Sequence, residues 1–73
     1  MEYDKKDILE YVVAVVAEFS KRHKIAERSA FQYLRNFSGI NFITECYASL
    51  HTDNLEYALD DIDAICRRNG GRL

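Results

Sequence analysis

No proline occurs in the 73 residues, and glycine stands only at 39, 70 and 71. Breaks between elements must therefore come mainly from polar capping residues. No linker, low-complexity segment or internal repeat divides the chain, so residues 1–73 read as a single helical domain. A domain this small buries only about 60% of its unfolded surface. The 48% hydrophobic content supplies enough apolar material for such a core.

Apolar spacing predicts four helices. The first spans 4–21, with Asp4 as N-cap and Asp7 three residues on. Ile8, Val12, Val15, Val16 and Phe19 form one apolar row, and Leu9, Val13 and Ala17 form a second. Two rows exceed an ordinary stripe. They predict a helix that is central in the domain or covered on a second side by a partner. The valines over 11–16 also permit a strand, but the flanking helical pattern argues against it. Lys21-Arg22-His23-Lys24 closes this helix, with cations at its negative end.

A short loop over 24–26 leads to a second helix, 27–37, carrying Ala30, Phe31, Leu34 and Phe37. Ser38-Gly39 breaks it, with Gly39 expected in the left-handed position after the helix. The third helix, 40–50, has Ile40, Phe42, Ile43, Cys46, Tyr47 and Leu50 on its apolar face. His51, Thr52, Asp53 and Asn54 form the joint to the fourth. His51 is expected to bond a free carbonyl at the end of the third helix. Thr52, Asp53 and Asn54 can all cap the fourth, and the Asp53–Glu56 spacing favours Asp53. That helix runs to 68 and stops at Asn69-Gly70-Gly71. The expected fold is all-α: a compact bundle of four helices, two long and two short. Short loops make antiparallel neighbours, and the two long helices should pack across each other.

Charge and motif spacing narrow the function. The net charge is −2, so the whole molecule is not a polycation. The apolar run 11–17 is too short to span a bilayer, and no targeting segment is visible, so the expected location is cytoplasmic. Cys46 and Cys66 lie on apolar stripes and are expected as buried free thiols. A bridge between them is the alternative, requiring Cα atoms within about 7 Å. Glu56, Asp60, Asp61 and Asp63 lack the alternating spacing of a cation loop. They are expected to form a solvated face, with Asp63 pairing Arg67 one turn on. His23 is expected to be exposed. No histidine sits at metal-ligand spacing, and no activated nucleophile, phosphate loop or dinucleotide fingerprint is present. The reading is therefore non-enzymatic, with no catalytic, cofactor or metal residues and no small-molecule substrate.

Two binding readings remain. The first is a protein-interaction module, either a homodimer or the small partner of a larger protein. Tyr11 and Tyr57, off the main stripes of the long helices, are its candidate anchors. The alternative is nucleic-acid binding through Lys21, Arg22, Lys24, Arg28 and Arg35, since 21–35 holds five basic residues against one acid. The glycine turn between the second and third helices also imitates a helix-turn-helix. Against this, the would-be recognition helix offers Asn41, Thr44, Glu45 and Ser49 and no cation.

One resemblance covers nearly the whole chain. It is carried by Tyr33-Leu34, Phe37-Ser38-Gly39-Ile40, Tyr47-Ala48-Ser49-Leu50-His51-Thr52, Asp60-Asp61-Ile62 and Cys66-Arg67-Arg68-Asn69-Gly70-Gly71. These segments resemble a set of short bacterial proteins catalogued as domain of unknown function 3791. The resemblance implies a small cytoplasmic helical protein and supplies no catalytic residues. Members encoded near an ADP-ribosyltransferase-like protein suggest a partner or antitoxin-like role.

Overall fold

The computed structural model describes residues 4–73. The first three residues of the expected domain, Tyr3 among them, lie outside it. Four helices follow in order: α1 Lys5–His23, α2 Glu27–Asn36, α3 Gly39–Leu50 and α4 Leu55–Arg68. No strand forms among the described residues, and the valine run lies within α1. Burying these β-branched side chains outweighs their weak helix propensity.

Two expected caps hold: the N-cap of α1 and the glycine stop of α4. Asp4 Oδ1 accepts from the Lys6 N–H at 3.2 Å. Gly70, at φ 103°, ends α4, with the Gly70 N–H bonded to Arg67 O and the Gly71 N–H to Cys66 O. The same double bond ends α1, where the Lys24 N–H reaches Lys21 O and the Ile25 N–H reaches Ser20 O. Both ends are Schellman motifs. In α1 the left-handed residue is Lys24, at φ 56°, so α1 runs to His23, two residues past the expected end.

Two joints differ from expectation, and one helix is bent. The left-handed residue between α2 and α3 is Ser38, at φ 70°, and Gly39 is instead the first residue of α3. The N-cap of α4 is Asn54, whose Oδ1 accepts from the Glu56 N–H at 3.0 Å. Asp53 lies in the preceding turn and bonds back to Leu50 O. Finally, α3 kinks at Cys46, whose φ and ψ leave the helical region. Thr44, just before the kink, donates its hydroxyl to Ile40 O at 3.0 Å, a bond that bends helices.

α1, like α3, touches all three other helices, which fits the first of the two expectations for it, a central place in the domain. Its main neighbour is α2, while α3 pairs mainly with α4. The two long helices meet over a smaller contact than the expected crossing. The core joins Val15 and Phe19 of α1, Ala30 and Leu34 of α2, Ile43 of α3, and Ala58, Ile62 and Cys66 of α4, all fully buried.

A candidate partner-binding face

The two apolar rows of α1 have separate fates. Val12, Val15, Val16 and Phe19 enter the core, whereas Leu9 and Val13 are each 62% exposed. Phe31 of α2, 40% exposed, stands beside them. Along α1 and α2, and reaching the first turns of α3, lies an apolar groove in two continuous parts. One part is lined by Ile8, Leu9, Val12, Phe31 and Ile40, with Lys5 and Thr44 at its edge, and measures about 520 Å³. The other is lined by Leu9, Val12, Val13, Val16 and Phe31, with Glu27 and Arg28 at its edge. Leu9, Val12 and Phe31 line both parts, which makes them one groove. Isolated exposed apolar residues are ordinary on a small protein; here several of them line one contiguous groove. The double row on α1 foretold it. The contribution of Phe31 was not legible, because Phe31 fits the core stripe of α2 by spacing alone.

The two tyrosine candidates separate. Tyr57 is 65% exposed, but it lies outside the groove. Tyr11 is half-buried and is not a free anchor. Its hydroxyl donates to Leu50 O at 3.3 Å, and its ring meets Tyr47 edge-on at 5.5 Å. Burial first, then the charge of Asp53 and the neighbouring Tyr47, raise its phenol above the ordinary range.

The basic segment does not form one free patch. Arg22 turns toward α4, where Nη1 contacts Asp60 Oδ1 at 2.9 Å and Asp63 Oδ2 at 3.0 Å. The bond to Asp63 holds its guanidinium still more firmly protonated. Lys21 pairs with Glu18 one turn back. Lys24, Arg28 and Arg35 remain exposed.

Asp63 corrects two expectations at once. It is 5% exposed rather than part of a solvated face, and its partners are Arg22 and His23 rather than Arg67. His23 is correspondingly shielded. Its Nε2–H donates to Asp63 Oδ1 at 2.8 Å, and its ring lies on Phe19 at 4.5 Å. Glu56, Asp60 and Asp63 occur at i, i+4 and i+7, a spacing that lets one α4 face receive the end of α1. Arg22 touches all three, reaching Glu56 through its backbone carbonyl. Arg67 instead bonds Leu73 O. The nearby Ser20 hydroxyl is not aimed at His23; it donates to Ala17 O. The cluster's bonds thus fasten α1 to α4.

At the joint before α4, His51 bonds the expected free carbonyl at the end of α3. His51 Nδ1–H donates to Tyr47 O at 2.7 Å, with the two rings stacked at 4.5 Å. Thr52 Oγ1 donates to Ser49 O. Among the described residues, no group of three His, Cys, Asp or Glu is placed to hold a metal ion. No described helix is long and apolar enough to cross a membrane.

Both cysteines are free; Cys66 is buried, while Cys46 is only half-buried. Burial, then the negative charge of Asp63, push the Cys66 thiol from its ordinary value up to about 11, against a smaller downward pull from the Gly39 N–H. The folded state thus favours the protonated thiol. That contribution is complete below about pH 9 and is lost as pH rises through about 11. In urea titrations, stability should fall across this window by about 1.4 kcal/mol per pH unit, and Cys66→Ala should flatten the fall. An unchanged alkaline slope in Cys66→Ala would assign the loss to other groups. At neutral pH a thiol reagent should modify Cys46 well before Cys66.

The profile of a family described as "Protein of unknown function (DUF3791)" matches residues 10–69. No curated protein and no solved structure matches the chain.

Proposed function

The chain belongs to the DUF3791 family, whose function is unknown, and from that premise we propose that it is a non-enzymatic protein-interaction module. It acts as the small partner of a larger protein and works in the bacterial cytoplasm. The observation that carries this reading is the exposed apolar face of Leu9, Val13 and Phe31 beside the groove between α1 and α2. Two aliphatic side chains of α1, at 62% exposure, are unused by the fold itself. Covering them would bury apolar area at roughly 25 cal/mol per Å². An antitoxin-like role for such a partner rests on the family resemblance. Nucleic-acid binding is the weaker reading, because Arg22 and Lys21 are engaged with acids of the same chain.

Tagged protein recovered from its native cell tests this, beside a Leu9→Asp/Val13→Asp variant. Both positions are exposed, so the variant should keep its helical circular dichroism. A discrete protein should co-purify with the unaltered chain and be lost from the variant. Identical co-purifying sets, or none above an unrelated tagged control, would defeat the reading.

A further inference from the structure

The groove between α1 and α2 has a distinct charge pattern. Lys5 stands at one end, and Glu27 and Arg28 at the other. Helical spacing extends the pattern. Lys6 shares a face with Leu9 and Val13, and Arg28 and Arg35 flank Phe31 one turn to either side. All four cations are exposed, and none has an acidic partner within ion-pair distance among the described residues. The acids on this face are Glu27 and Glu10, the latter one turn beyond Lys6. Four cations against two acids give +2 here, while the chain as a whole carries −2, which leaves −4 for the rest. The apolar groove is thus rimmed by positive charge on an otherwise acidic molecule.

Resting on the docking reading above, we propose that the occupant is an amphipathic helix with acidic flanks, contributed by a different protein. The floor of the groove is the seam between α1 and α2, flanked at the Lys5 end by Ile40 and Thr44 of α3, and such a seam accepts a further helix by ridge-into-groove packing. Its α1 side, from Lys5 to Val16, is about 17 Å long, or three helical turns. That length receives apolar residues at i, i+3, i+4 and i+7 of the incoming helix. Acids beside that stripe then meet Lys5, Lys6, Arg28 and Arg35. A second copy of this chain fits less well. Antiparallel pairing of α2 across a twofold axis would set Arg28 opposite Arg35 at both ends, a like-charge arrangement.

Two fluorescein-labelled synthetic peptides of about 18 residues, long enough to cover the groove, make the test. They share one Leu/Ile stripe and carry either Glu or Lys at the remaining positions. By fluorescence anisotropy at low salt, the Glu peptide should bind at least about tenfold more tightly than the Lys peptide. The difference should shrink as salt screens the rim. Arg28→Glu/Arg35→Glu should reverse the preference, and Leu9→Asp should weaken both peptides, with circular dichroism confirming the fold of each variant. Equal affinities overturn the acidic-helix proposal but leave the docking face standing. Binding of neither peptide overturns the proposal too, and the native-cell recovery then decides separately whether the face has a partner of other chemistry. A dimer by light scattering that Leu9→Asp dissociates, or preferential binding to phosphatidylserine vesicles, also overturns it.

Discussion

Asp63→Ala should lower the unfolding free energy by about 3 kcal/mol, toward the low end of what breaking a buried ion pair costs. Asp63 is 5% exposed, and its carboxylate joins two groups of α1, Arg22 and His23. Removing the carboxylate strands two donors, with Arg22 and His23 side chains only 28% and 15% exposed. Arg22 keeps Asp60, but that partner is 64% exposed and its pairing is weak in water. A domain of this size has a total stability on the order of 5 kcal/mol, so the loss is about half of it. The melting temperature should fall by about 15 °C. Asp63→Asn, which keeps the volume and one acceptor, should cost roughly half as much. Thermal and urea unfolding of the two variants measure this. A shift of only about 2 °C for Asp63→Ala would mean that the cluster adds little and that apolar contacts alone hold α1 to α4.

That cluster shows where sequence reasoning stops. Spacing places Asp63 on a face of α4 and Arg22 in the last turn of α1, each with a neighbour of opposite charge on its own helix. Local pairing with Arg67 is then the natural expectation. The observed pair spans 41 residues in sequence, and no periodicity encodes which helix ends meet. His23 was hidden for the same reason, since a histidine in a cationic last turn gives no sign that it will fold under Phe19 toward another helix. Features set within one helix were legible. Examples are the Asp4 cap, the Gly70 stop, the His51 bond to Tyr47 and the double row on α1. The groove was half legible: α1 announced an uncovered side, whereas the matching exposure of Phe31 depends on how α2 is rotated against α1.

Gly39 serves close packing rather than the left-handed turn that its place after α2 suggests, and the difference has a measurable consequence. A glycine after a helix suggests the left-handed backbone, but Ser38 adopts that conformation and Gly39 is helical. What the position requires is the absence of a side chain. A Cβ there would lie 2.8 Å from Leu34 Cδ2, 3.0 Å from Cys66 Sγ and 3.1 Å from the Leu34 carbonyl oxygen. Leu34 and Cys66 are both fully buried, so neither has room to retreat, and the carbonyl belongs to the backbone of α2. The glycine therefore lets α2, α3 and α4 converge. In an exposed helix, glycine to alanine gains about 1 kcal/mol. Here overpacking of up to about 3 kcal/mol opposes that gain, so Gly39→Ala should destabilise by about 2 kcal/mol. Chemical denaturation gives the sign directly: a variant as stable as the parent, or more so, would show that the convergence is looser than these distances. Placing Gly39→Ala in a Leu34→Ala background should reduce its cost, because the closest contact is then gone and the two changes couple. If the costs simply add, the clash is with the backbone of α2 and Cys66 rather than with the Leu34 side chain.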